Sequence, residues 1–274
     1  MRWQTIVASG VVALALAAAG CGGTSDSSTS SSTPTNASAA GLWSGTDSAS
    51  GLGLEAFIDS SGSADFIRAD GVQYTGSVQV SGSTLVVSLE GYTDFGDEFS
   101  GGSTYGIGTF NGTVSTTTSI GGTLTFTPTN GTQFTSTWSL TYDSNSLYTS
   151  GSSLSAIAGT YTGAAASTDS SDPINGSTVT ISSSGALSGS GSSSGCVLSG
   201  ALTIDNSSYD IYSVAYSYSG CTGDYESLNA VQFTGMAVYN TDVTPTQVVI
   251  GATASVTTSS TTTYYGLVSS LTAS

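Results

Sequence analysis

The 274-residue chain carries 18 acidic and 2 basic side chains, no histidine and a formal net charge of −16, with charged residues at 7% of the whole against roughly a quarter in ordinary globular proteins. The two basic residues are Arg2 and Arg68 and lysine is absent, so nucleic-acid binding, which needs cations to neutralise phosphates, and adhesion to lipid through a polybasic patch are excluded. Histidine base catalysis, histidine metal ligation, lysine Schiff bases, a Ser-His-Asp triad and a lysine-bearing phosphate loop are excluded too, and no cofactor is expected.

In chain order, Arg2 supplies a short positive segment and Thr5 to Ala19 (TIVASGVVALALAAA) an apolar run. A run of about 15 mostly apolar residues suits a signal peptide and is short for a membrane-spanning helix. It ends in Ala18-Ala19-Gly20-Cys21. Here the sequence resembles the lipobox of bacterial lipoproteins, in which small residues precede an acylated cysteine. Ala18 stands where leucine is commonest, and Leu16 lies two residues earlier. The resemblance implies residues 1–20 as signal peptide, cleavage before Cys21, diacylglycerol on its sulfur and membrane partnership through that anchor. Two acyl chains hold stably where one does not, at about 0.8 kcal/mol per buried CH2. Gly22 follows, not the aspartate that retains such proteins at the inner membrane, which implies the outer membrane of the cell envelope. The alternative is ordinary cleavage after Ala19 and a secreted or periplasmic chain.

There are three cysteines, Cys21, Cys196 and Cys221. In an oxidising compartment two of them should pair. Pairing Cys196 with Cys221 leaves Cys21 for the lipid. A loop of about 25 residues gives such a bridge roughly 3–3.5 kcal/mol. No CxxC motif and no neighbouring cation marks either as redox-active.

The lipid-anchored segment 21–39 is rich in Ser and Thr and cannot bury apolar surface, so it is expected as a disordered tether with a reach of about 25 Å. From Ala40 short runs alternate apolar and hydroxyl residues. Leu54–Asp59, Gly76–Val80, Thr84–Leu89, Thr123–Thr127 and Phe134–Tyr142 read as strands of period two. Ser61-Gly62, Asp70-Gly71, Ser81-Gly82, Asn111-Gly112 and Asn130-Gly131 read as turns. No later stretch has sustained helical periodicity.

The pattern then restarts. Ala158–Gly163 echoes Ala40–Gly45, Thr180–Gly185 echoes Phe57–Gly62, Gly200–Ile204 echoes Gly76–Val80, and Phe233-Thr234-Gly235 echoes Phe110-Asn111-Gly112. These echoes read as an internal duplication of about 115–120 residues. The expected fold is all-β, with two tandem antiparallel up-and-down barrel-like domains of about eight strands each. β-Sandwiches are the alternative. The divisions are 40–148 for the first domain, 149–157 for a linker and 158–274 for the second. Closure would also remove sheet edges that this chain has few charges to guard. The strands look short for a membrane-embedded barrel. The Gly-x-Trp/Tyr openings and the Gly185–Ser190 continuation resemble the start of calycin barrels, the avidin and lipocalin kind. That resemblance implies that Trp43 and Tyr161 plug one end of each barrel. It implies no ligand, because the arginine that covers the tryptophan in lipocalins and the biotin-gripping aromatic set of avidins have no counterpart.

Asp94, Asp97 and Glu98 form the densest carboxylate cluster, a weak Ca2+ candidate without EF-hand spacing; the plainer reading is a solvated loop. Asp169 and Asp172 are expected to be solvated. Tyr209, Tyr212, Tyr216 and Tyr218 suit either a sugar-stacking surface or strand packing. The function expected is a non-catalytic binding or structural role in the cell envelope, with small-molecule, glycan and protein ligands left open. The alternative is an envelope enzyme working through carboxylates alone, such as a glycan hydrolase.

Overall fold

A computed structural model describes residues 36–145, 147–165 and 172–274. The signal segment, Cys21 and most of the tether, as well as Asp169, lie outside the described residues. The chain forms two closed, eight-stranded antiparallel barrels. The first runs β1 (Gly41–Asp47), β2 (Gly53–Ile58), β3 (Ser63–Arg68), β4 (Gln73–Ser81), β5 (Thr84–Tyr92), β6 (Tyr105–Ser115), β7 (Ser119–Pro128) and β8 (Phe134–Tyr142). It closes where β1 pairs with β8, Trp43 opposite Tyr142. The second runs β9 (Gly159–Ala165), β10 (Thr178–Ile181), β11 (Ala186–Ser190), β12 (Val197–Thr203), β13 (Tyr212–Ser219), β14 (Gln232–Asn240), β15 (Gln247–Thr257) and β16 (Thr262–Ala273). It closes where β16 pairs with β9. The sandwich alternative is set aside by these closing pairs.

Period-two alternation decides which side chains fill each barrel. Along β5, Leu85, Val87 and Leu89 are buried while Thr84, Ser88 and Glu90 are exposed; along β13, Tyr212, Val214, Tyr216 and Tyr218 are buried. The first interior is filled by rings, with Trp138 against Phe66 and Phe110 at 5.1 Å and against Tyr74 at 5.3 Å. In the second, Tyr216 stacks on Phe233 at 5.2 Å. An eight-stranded barrel is narrow enough for side chains to fill it, and both of these are packed.

All four echoes in sequence fall on corresponding strands: the first, second, fourth and sixth of each barrel. Their glycines explain the persistence. A Cβ on Gly76 would lie 2.1 Å from the Ser88 carbonyl oxygen, and one on Gly200 2.4 Å from that of Ala215. A Cβ on Gly112 would lie 2.3 Å from the Gly121 oxygen, and one on Gly235 1.9 Å from that of Gly251. Neighbouring strands approach too closely there for any side chain. Asn111-Gly112 is therefore not a turn: it lies inside β6, opposite Thr123 and Gly122.

Trp43 and Tyr161 occupy the same place in their barrels. The Trp43 Nε1–H donates to the Ala39 carbonyl at 2.9 Å and the Tyr161 hydroxyl to the Ile157 carbonyl at 2.5 Å, each four residues back. Both acceptor residues are buried. Order thus begins before Ala40: the Ala37 N–H donates to the Gly82 carbonyl and the Gly82 N–H to the Asn36 side chain, both at 2.8 Å. The expected linker also packs. It carries a helical turn, α1 (Leu154–Ile157), in which the Ala156 N–H donates to the Ser153 hydroxyl, and Ile157 is fully buried. The Cys196–Cys221 disulfide joins the residue before β12 to a residue just after β13, tying the open end of that hairpin.

Candidate functional site

The barrels pack side by side. Along β2 and β3 the buried runs Ala56-Phe57-Ile58 and Ala64 to Ile67 are continuous, so both faces of these strands are covered. Ala56, Ile58, Ala64 and Phe66 face the first interior. Leu42, Phe57 and Ile67 face outward and meet Val238, Val249 and Val268 of the second barrel, with Leu147 and Tyr148 of the connection completing the cluster. At one end Tyr105 stacks on Tyr264 at 3.7 Å, and Asp94 bridges through its backbone to Gly266.

Two clefts lie on this seam. The smaller, about 170 Å3, is bounded by residues 93–98 and 263–266. It holds the predicted carboxylate cluster, but not as a solvated loop. Asp94 is 3% exposed, its Oδ1 accepts from the Phe95 N–H at 3.1 Å, and its carboxylate lies where a Cβ on Gly71 would be 2.7 Å away. Asp97 is half-buried and its carbonyl accepts from the Thr93 hydroxyl, while Glu98 is exposed. Among the described residues no three His, Cys, Asp or Glu side chains converge in a way that could hold a metal ion. Asp94, Asp97 and Glu98 are not brought together as such a group.

The larger groove, about 570 Å3, falls in the size range of small-molecule sites. Its walls bear the hydroxyls of Ser63, Thr75, Ser213, Thr234 and Thr253 and the carboxylates of Asp59 and Asp205; Asp65 also lines it. Asp59 is engaged, its Oδ1 accepting from the N–H groups of Ser61 and Ser63 and from the Ser61 hydroxyl. Asp205 accepts from the Ser213 hydroxyl. Asp65 differs. It is 2% exposed, and neither carboxyl oxygen has a hydrogen-bond partner among the described residues. Its Oδ2 leans over Gly251, where a Cβ would be 2.2 Å away. The Gln73 amide donates to the Ala252 carbonyl at 3.3 Å, and its oxygen is likewise unpartnered. Burial alone pushes the Asp65 carboxyl up to about 7.

The described residues supply it no countercharge. Arg68, the one basic side chain among the described residues, grips Asp70 through two bonds of 2.8 Å and Asp47 at 3.2 Å. Burial pushes Asp47 up, but hydrogen bonds from Ser136, the Ala49 N–H and Arg68 outweigh it and hold the carboxyl below its usual value.

The remaining sequence candidates resolve differently. Asp172 is buried, not solvated: it accepts from the Ser269 hydroxyl at 2.5 Å and the Ile174 N–H at 2.8 Å, and burial raises it to about 6. Tyr212, Tyr216 and Tyr218 point into the second barrel and are core. Tyr209 alone reaches the groove, stacked on Tyr148 at 4.5 Å. Sequence reading missed Asp65 because a lone aspartate on an alternating strand looks solvent-facing. The signal available was Phe57 and Ile67, apolar on that same outward face. No known family matches the chain, and no curated protein matches it in sequence.

Proposed function

We propose that the protein is a lipid-anchored component of a bacterial cell envelope, held through Cys21, that acts without catalysis as a binding module along the seam between its barrels. The observation that carries this reading is that both barrel interiors are filled by large buried side chains of their own, while the two clefts described above lie on the seam. The Cys196–Cys221 bridge supports the anchor, since it occupies two of the three cysteines and leaves Cys21 for acylation. Gly22 after the acylated residue supports placement at the outer membrane where the cell has one. Metabolic labelling with palmitate tests the anchor: the wild-type chain should incorporate label and Cys21→Ser should not. Equal labelling of the two would refute it.

A further inference from the structure

We propose that the larger seam groove binds a neutral glycan, with the Tyr209 ring as its stacking platform and the wall hydroxyls as its hydrogen-bonding partners. This names a ligand class for the binding module and rests on that reading. Ser63 and Thr75, on β3 and β4, stand on one wall of the groove, and Ser213 and Thr234, on β13 and β14, on the other. The Asp65 oxygens are sealed from solvent, but these hydroxyl residues are not: Ser63 and Thr234 are exposed, and Thr75 and Ser213 half-buried. One end of the groove is tied across the seam, where the Asn206 side-chain amide donates to the Ser60 hydroxyl at 3.2 Å. Tyr209 stands in the same loop, between β12 and β13. It is half-buried and lines the groove, and Tyr148 backs one face of its ring at 4.5 Å with the two planes 16° apart. Tyr148 is itself buried in the seam cluster, so Tyr209 rests on a fixed support.

A sugar ring presents apolar C–H faces and a rim of hydroxyls. An aromatic plate meets the face, and protein hydroxyls, each both donor and acceptor, meet the rim. Ile211 and Met236 add apolar surface to the same groove. Charge separates this ligand from others. The groove carries two carboxylates that the protein itself uses: Asp59 Oδ1 takes three bonds within its own turn, and Asp205 accepts from Ser213. An anion would meet both of them in a chain of net charge −16, with Arg68 committed to Asp47 and Asp70. A cation would find each carboxylate already engaged. A neutral polyol meets neither cost. At about 570 Å3 the groove suits a drug-sized ligand, which favours a short oligosaccharide over a single sugar.

The test is an array of neutral, sulfated and sialylated glycans probed with the full chain in detergent, followed by calorimetric titration with the neutral oligosaccharides retained. Retention of at least one neutral glycan, with no preference for the anionic ones, is expected. Tyr209→Ala should weaken that binding about fivefold or more, and Tyr209→Phe, which keeps the ring, should retain most of the affinity. Thr234→Val removes an exposed hydroxyl from the opposite wall and should cost about threefold or more. Thr123→Val, outside both clefts, should leave binding unchanged. No neutral glycan retained, a preference for anionic glycans, or wild-type affinity in both Tyr209→Ala and Thr234→Val overturns the inference. If no glycan is retained but a photoreactive residue at Ser213 still captures a partner in intact cells, the glycan falls and the binding module stands. If neither is seen, both fall.

Discussion

Replacing Asp65 by asparagine should make the protein less sensitive to pH and more stable at neutral pH. In the folded chain, burial moves this carboxyl from 3.8 to about 7; in the unfolded chain it titrates near its usual value. Between these values the unfolded state has lost its proton while the folded state keeps it. Stability attributable to this group is intact below about pH 4 and falls as pH rises toward 7, by about 1.4 kcal/mol per pH unit, or about 4 kcal/mol across the window. Asparagine has nearly the same shape, stays neutral throughout and brings an N–H2 that can meet the unpartnered Gln73 oxygen. Urea unfolding of both proteins at pH 4.5, 5.5, 6.5 and 7.5 measures the difference. The variant's stability should fall less steeply by about 1.4 kcal/mol per unit, and above pH 7 it should exceed wild type. Parallel pH profiles, or a variant less stable than wild type at pH 7.5, would refute the assignment of a buried, unpaired carboxyl. Asp172 and Asp210, raised to about 6 and about 7 mainly by burial, act with the same sign. The wild-type protein should therefore be most stable in mild acid.

Gly251→Val should force the barrels apart, because its first side-chain carbon would sit 2.2 Å from Asp65 Oδ2 and 2.8 Å from Ile67 Cδ1; a larger radius of gyration in solution scattering with unchanged strand content is the expected signature, and an unchanged radius would show that the seam is not tight there. Trp138→Ala should cost about 3–5 kcal/mol in denaturant unfolding, since a fully buried ring at the centre of the first barrel leaves a cavity that its aromatic neighbours cannot collapse to fill. Cys196→Ser should cost about 2–4 kcal/mol, with reductant lowering the wild-type melting temperature toward that of the variant.

Much of this architecture was legible because each barrel wall is one pleated surface with a dry side and a wet side. Leu85, Val87 and Leu89 alternate with polar neighbours, so period and strand could be read together. The duplication was legible because strand crossings demand glycine at equivalent places, Gly76 with Gly200 and Gly112 with Gly235. The same demand misled at Asn111-Gly112, where close packing of strands selects the glycine and a turn would select it equally well. Closure was open between barrel and sandwich because it depends on Trp43 meeting Tyr142, a pairing no local pattern encodes. The seam was hardest to see. Its apolar residues Phe57, Ile67, Val249 and Val268 are scattered over distant strands, and the burial of Asp65 and Asp94 follows from what packs over them. Carboxylates in a weakly charged chain look solvated until the second barrel is placed against the first.

The seam as the working surface is tested most directly by site-specific photo-crosslinking in intact cells. A photoreactive residue at Ser213, on the groove wall, is compared with one at Thr123, an exposed position on β7 outside both clefts. Adducts from Ser213 and none from Thr123 are the expected result. Adducts from Thr123 with none from Ser213 would contradict it and move the functional surface to the outer wall of the first barrel.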